Sequence, residues 1–416
     1  MNWTYFPRLP VYAETPPNEQ AVAAALKETP LLPYGRGRCY NDACLSPRLL
    51  KSERLGYLLS FDEKTGLLEA QAGVTLGEIV ELFLPRGFFP PVVPGTAGVT
   101  LGGAVSADVH GKNDEPVTFC SFVEELTVLL PSGERLTVKK GDELFKAFCG
   151  GLGLLGFILR VKTRLRRVKG AFLKVKRLKP KDLDELLTLL KEPAAEYSVA
   201  WLDLLNDPTG NRSIVLTGSF TELNRPCRLK PLPFLKPPLP RELLVRLYDA
   251  LYYARGEGET LECYARFFFP LDRWRGWNRF YLPEGFTQTQ FLLPEEKAPE
   301  ALSEVLKLLS SSGLRPYLAV LKYHRGGGEG LLSFIRRGFS LALDFPLTEG
   351  LPELMRRLER LVLGYGGRHY LVKDAFLSRR AFYGAYGEQA DEFKKLRKEL
   401  GAAGRFESYL STRLGL

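Results

Sequence analysis

Apolar and polar positions along the chain fall into two textures that meet near residue 170. In the first stretch, residues 67–72 and 122–130 are short apolar runs of strand length. Residues 131–134, Pro-Ser-Gly-Glu, turn the second run into residues 135–138 and predict a hairpin. The Ala-rich run 20–28 predicts a helix, and residues 30–34 predict a strand entering a tight turn at 35–42. Thr75 caps a predicted helix over 76–84. Glu78 completes its capping box, and Pro85 and Gly87 stop it. Residues 143–149 predict another short helix.

The texture changes after Gly156, with a domain boundary expected near residue 170, and from there period-two and helical patterns alternate. Strands are predicted at 157–165, 171–178, 198–204, 212–219, 263–269, 287–293, 317–323 and 339–345. Helices are predicted at 183–190, 242–253, 298–312 (ending at Gly313) and 351–363, with a charged helical tail at 381–400. This succession predicts an α+β fold, an antiparallel sheet flanked by helices. Residues 229–240 carry five prolines and two lysines and read as an extended loop or lid.

Composition narrows the classes. The 416 residues are 45% hydrophobic and 25% charged, which excludes a largely disordered chain. No apolar run is long enough to span a bilayer, and the first residues lack a basic start followed by an apolar stretch. A cytoplasmic protein is expected. The formal charge of +10 favours anionic partners without choosing among them. No platform of interleaved basic and aromatic residues supports nucleic-acid binding. Three histidines and six cysteines show no metal-ligand spacing, so no metal site is expected and the cysteines read as free thiols.

The candidate chemistry lies in the glycines. Gly151-Leu152-Gly153-Leu154-Leu155-Gly156 fits G-x-G-x-x-G, but a helix precedes it, a strand follows it, and the residues near 176 are basic. That order excludes a nicotinamide Rossmann site and predicts a tight helix-to-strand turn that can still touch a cofactor. Two other segments suit a pyrophosphate, because glycine lets backbone N–H groups approach an anion and hydroxyls add donors. One runs Gly35-Arg36-Gly37-Arg38-Cys39-Tyr40-Asn41-Asp42. The other spans 94–113 and contains Pro94, Gly95, Thr96, Thr100, Gly102, Gly103, Ser106, His110, Gly111, Lys112 and Asn113.

These two segments resemble the G-x-G-R-S-Y-G-D and P-G-T…T-x-G-G-A…H-G-K-N motifs of PCMH-type FAD enzymes, the vanillyl-alcohol oxidase fold family. Within it they are most similar to its decaprenylphosphoryl-ribose oxidase branch. Further likeness lies at 268–272, 277–279, 288–291, 318–322 and 366–374. The resemblance implies an FAD-binding lobe over 1–170, a substrate cap over 171–367 and a return to the first lobe over 368–416. It implies FAD contacts along Gly35 to Tyr40, at Pro94, Gly95, Thr96, Thr100, Gly102, Gly103, Ser106, His110, Gly111 and Asn113, and at Gly151, Gly153 and Gly156.

Arg38 stands where many relatives bond the flavin through histidine, which implies non-covalent FAD. Cys39 replaces their serine, and Ala342 and Ser340 replace a cysteine and an asparagine of the pocket wall. Lys373 matches the family's active-site lysine, with His110, Tyr370 and Gln290 as further catalytic candidates and Lys322 beside them. The implied reaction is oxidation of a secondary alcohol of a sugar or sugar phosphate by hydride transfer. The alternatives are a lactone or alditol substrate, or FAD binding without turnover. A phosphorylated or lipid-linked substrate, an NAD(P)-dependent reductase partner completing an epimerisation, and peripheral membrane contact are implied with it.

Overall fold

The computed structural model describes residues 2–26, 30–113, 118–227, 232–233 and 240–416. Three sheets organise it. A small parallel sheet holds Tyr12–Glu14, Arg48–Lys51 and Leu32–Tyr34, in that order. A five-stranded antiparallel sheet runs Leu58–Asp62, Leu67–Gln71, Phe157–Arg164, Val123–Leu129 and Arg135–Lys139. An eight-stranded antiparallel sheet runs Gly258–Cys263, Phe172–Leu178, Ser213–Phe220, Tyr197–Leu202, Leu318–His324, Gly338–Pro346, Phe286–Pro294 and Arg368–His369. The architecture is α+β.

Period-two alternation decides how the large sheet is used. Ala200, Leu202, Ala319, Leu321, Leu341 and Leu343 point to one face and pack under the helices Leu183–Lys191, Ala298–Ser312 and Leu351–Gly364. Each such leucine removed from water contributes about 1.5–3 kcal/mol. The alternate residues point to the other face, which carries polar groups and borders a cavity. The five-stranded sheet is backed by Leu76–Phe83 and by the C-terminal helices, through Phe382, Tyr386, Phe393 and Leu410. The capping box at Thr75 and Glu78 forms as the sequence predicts.

Several local expectations are corrected. Residues 263–269 do not form a strand: the edge strand ends at Cys263 and Tyr264–Phe268 is a helix. Its aromatic run carries no decisive period, and packing of Tyr264, Phe267 and Phe268 into one cluster settles it. Residues 370–373, whose apolar Tyr-Leu-Val run reads as strand-like in the sequence, form a turn after the two-residue strand Arg368–His369. The glycine-rich stretch contains a short helix, Leu101–Ser106, capped by the Thr100 hydroxyl. The first helix is Glu19–Ala25, capped by Asn18, and residues 27–28 lie outside the described residues. Cys227 and Cys263 are bonded as a disulfide, with 6.1 Å between their Cα atoms, so six free thiols is also corrected. The lid expected at 229–240 lies almost wholly outside the described residues. Among those described, no helix is long and apolar enough to cross a membrane, and no cluster of three or more metal-ligating side chains forms.

Candidate active site

A cavity of about 1370 Å³ runs between the glycine loops and the open face of the eight-stranded sheet. That volume exceeds a typical small-ligand pocket and leaves room for a dinucleotide and a second molecule. Strand register sets the sheet side. Gln290 lies opposite Ala342, Ala342 opposite Val320, and Val320 opposite Trp201. Gln288 lies opposite Asp344 one row away and donates to its carboxylate. All of these residues border the cavity.

The opposite wall is built from the two loops. Gly37 has φ 63°, a left-handed conformation that favours glycine. Among the described residues, no backbone carbonyl accepts from the N–H groups of residues 36–39, although buried amides are ordinarily paired. The loop is braced from far along the chain. Tyr40 N donates to Val372 O at 3.0 Å, and Asn41 Nδ2 donates to Leu371 O at 2.7 Å and Asp374 O at 2.9 Å. Arg413 pairs with both Asp42 oxygens at 2.9 Å.

The second loop presses on the first. A Cβ on Gly35 would sit 2.5 Å from Thr100 Oγ1, and one on Gly98 would sit 2.8 Å from the Arg38 guanidinium. Asp272 fixes this loop by accepting from Thr96 Oγ1 at 2.7 Å and from Ala97 N at 2.6 Å. Arg38 lies 4.2 Å over the Trp3 ring, and its buried Nε meets no partner among the described residues. Unspent N–H groups, a buried guanidinium and loops closed by glycine fit the diphosphate of FAD.

Of the residues singled out in the sequence, Gly35, Arg36, Gly37, Arg38, Cys39 and Tyr40 border the cavity from the first loop. Pro94, Gly95, Thr96, Thr100, Gly102, Gly103, Ser106 and His110 do so from the second segment, and Gly153 and Gly156 from the third. Gly111, Asn113 and Gly151 stand behind the wall. A Cβ at Gly151 would meet Ala147 O at 2.3 Å, and one at Gly111 would meet Val93 O at 3.0 Å, so these glycines serve close packing.

Nitrogen bases gather where the sheet meets the loops. Gln290 Nε2 lies 3.0 Å from His110 Nε2. Burial first, then Lys322, His324 and Lys373, push the His110 imidazole well below its ordinary range, so it is neutral and can accept from the Gln290 amide. The Lys373 amine sits 3.3 Å from the centroid of the Tyr40 ring. Burial pushes it down to about 7, while Asp344 pulls the other way. Lys322 donates to Gly111 O at 2.8 Å and is pushed down to about 8 by burial. Lys112 donates to Phe268 O at 3.2 Å and is pushed down to about 7 by burial and by Lys322. Burial pushes the Asp344 carboxyl up to about 6, opposed by its bond from Gln288 and by Lys373. Tyr370 borders the same space, but its hydroxyl donates to Ala107 O at 2.6 Å, a positioning contact.

Sequence reasoning assigned no role to Lys112, Asp272, Asp344, Trp201 or Asp249, all of which matter to the cavity. Strand parity carries a signal for Asp344, which shares a face with Ala342. Lys112 and Asp272 stood inside stretches already noted for likeness. Trp201 and Asp249 carry no motif.

A basic cavity with unspent amides in its first glycine loop, a second loop closed against it, and buried amines near neutrality suits an FAD-binding oxidoreductase. Comparison with known proteins agrees: residues 10–139 match the FAD binding domain family. The chain is 32% identical over 408 residues to the decaprenylphosphoryl-β-D-ribose oxidase of Mycolicibacterium smegmatis, covering 92% of this chain and 88% of that enzyme. It is 31% identical over 372 residues to an uncharacterised protein of Streptomyces coelicolor, covering 82% of this chain and 100% of that one. A putative D-arabinono-1,4-lactone oxidase of Neurospora crassa is 30% identical over 130 residues, or 30% of this chain and 23% of that protein. The chain belongs to the PCMH-type FAD-dependent oxidoreductases, in the family of the decaprenylphosphoryl-ribose oxidase.

Proposed function

We propose that the chain binds FAD without a covalent bond and oxidises a secondary alcohol of a sugar or sugar phosphate. FAD supplies a two-electron acceptor for the hydride from the alcohol carbon. The chain's own residues manage the proton and the charge. Lys373, with its amine near neutrality, takes the hydroxyl proton and ends as a cation beside the place where negative charge arrives. Neutral His110, oriented by Gln290, holds the alcohol oxygen. Lys322 and Lys112 suit a phosphate on the same sugar. Arg38 leaves no histidine at the position that other members use for covalent attachment.

The observation that carries this reading is the gathering of Lys373, Lys322, His110 and Gln290 at the end of a cavity whose other wall offers unspent amides. The same arrangement supports a division into an FAD lobe over 1–170 and 368–416 and a cap over 171–367. The lactone oxidase similarity spans only 130 residues, 30% of this chain, against 92% for the ribose oxidase, so a lactone substrate has less support.

An anaerobic screen of sugars and sugar phosphates that follows bleaching of the flavin tests the reaction. Absence of bleaching with any alcohol would refute it. The name of the mycobacterial relative makes a lipid-linked sugar one arm of that screen. Copurification with an NAD(P)-dependent reductase and sedimentation with anionic vesicles test the remaining partners.

A further inference from the structure

The cavity continues past the amines along the sheet. From Gln290 it passes Ala342 and Val320 to Trp201, three strand spacings or about 14 Å away. That reach goes well beyond one sugar ring placed against His110 and Lys373. At the far end, the helix Arg241–Ala254 forms the roof. It brings Tyr248, Asp249 and Tyr252 to the cavity beside Leu244 and Val245. Its Leu243, Leu247 and Leu251 instead face solvent, at 44%, 49% and 69% exposure.

Asp249 is the telling residue. It is 4% exposed and borders the cavity, and among the described residues its carboxyl meets no hydrogen-bond partner. Its oxygens open to the cavity, where a hydroxyl can pair with them and a hydrocarbon chain cannot. The carboxyl is pushed up to about 8 by burial and by Asp203, against Arg212, so near neutrality it is an acid that can both donate and accept. Around it stand flat apolar faces. Trp201 and Tyr252 meet edge to face at 5.0 Å between centroids, and Arg177 lies 4.5 Å over Tyr252. Tyr281 borders the same cavity.

Resting on the proposed sugar oxidation, we infer that this far end is a second binding chamber. In it, the carboxyl of Asp249 and the rings of Trp201 and Tyr252 hold a hydroxylated sugar unit attached through the phosphate to the one being oxidised. Aromatic faces cover the C–H face of such a ring, and the carboxyl engages its hydroxyls. Asp249 is thus a specificity-determining residue that favours a sugar extension over an apolar one.

Calorimetric titration of FAD-loaded protein reads this independently of turnover. Three probes are compared: ribose 1-phosphate, its phosphodiester with glucose, and its farnesyl phosphodiester. The glucose diester is expected to bind at least ten-fold more tightly than ribose 1-phosphate and to quench tryptophan fluorescence, a response absent in Trp201→Phe. Asp249→Leu should remove the ten-fold advantage with ribose 1-phosphate affinity unchanged, and Asp249→Asn should keep most of it.

A farnesyl diester that binds more tightly than the glucose diester overturns the inference. So does a glucose diester with no advantage in the wild-type protein, or an advantage untouched in Asp249→Leu. Should Asp249→Leu fail to fold, the probe order and the Trp201 response in the wild type decide. Failure of every alcohol to bleach the flavin would count instead against the proposed reaction, since binding is measured apart from it.

Discussion

Replacing Lys373 with methionine should make the protein more stable and nearly inactive at once. In the FAD-free protein the amine is pushed down to about 7 from an ordinary 10.5. A folded state that binds its proton less well than the unfolded chain is destabilised below the ordinary value. At pH 7 this linkage amounts to about 4 kcal/mol, and loss of the contact with the Tyr40 ring returns about 0.5–2 kcal/mol of it. A gain of about 2–4 kcal/mol is therefore expected for Lys373→Met at pH 7. The sign follows from the depressed value: the gain is full below pH 7 and fades as pH rises toward 10, where the wild-type amine is neutral in both states. Urea denaturation at pH 7 and pH 10 measures it.

Activity should move the other way. Loss of a positioned base removes about 10²–10⁴-fold in rate. Anaerobic stopped-flow reduction with the best sugar of the screen reads that loss, with FAD content unchanged. The wild-type rate should rise with pH through about 7, as the amine loses its proton, and the variant should lose that dependence. A Lys373→Met protein that reduces its flavin within ten-fold of wild type, with the same pH profile, would refute the assignment.

Other outcomes follow from the same geometry. Acid precipitation of the yellow protein should release FAD into the supernatant, because Arg38 offers no covalent bond; flavin retained in the pellet would contradict this. Gly35→Ala places a methyl 2.5 Å from Thr100 Oγ1 and should weaken FAD binding by about 1–3 kcal/mol, measured by flavin fluorescence titration, with partial recovery in Gly35→Ala/Thr100→Ser if the hydroxyl can turn away. Asp272→Asn should speed FAD release, since the charge that accepts from Thr96 and Ala97 is lost. Between pH 8 and 9 the FAD-free protein should gain stability as pH rises. Lys112, Lys322 and Lys373 are all depressed, and three missing protons correspond to a slope of at most about 4 kcal/mol per pH unit; a falling urea midpoint over that window would oppose the burial of these amines.

Much of the frame is legible because local chemistry and tertiary packing agree. Thr75 and Glu78 announce their helix, Gly313 ends another, and the period-two runs at 287–293 and 339–345 become neighbouring strands of the large sheet. Where local signals conflict, the sequence misleads. Residues 264–268 are aromatic and could pack as strand or helix, and contacts with Phe89 and Tyr197 select the helix. Gly102 and Gly103 disguise a helix that depends on the Thr100 cap. Residues 370–373 look extended, yet the chain must turn there to reach Tyr40 and Asn41.

The glycine motifs point to the loops but not to what presses on them. Asp272 is 176 positions from Thr96, and no spacing rule reaches that far. Cys227 and Cys263 are 36 apart without a motif. Asp249 reads as a polar position on a surface helix until the fold turns it inward.

The bracing of the first loop also sets a timetable. Leu371, Val372 and Asp374 bind residues 40 and 41, and Arg413 grips Asp42. During synthesis the early strands can assemble while these partners are still unmade. The nucleotide cradle can reach its finished shape only once residues 371–374 and Arg413 have left the ribosome, so flavin capture waits for them, and a nascent chain stalled before residue 371 should emerge colourless.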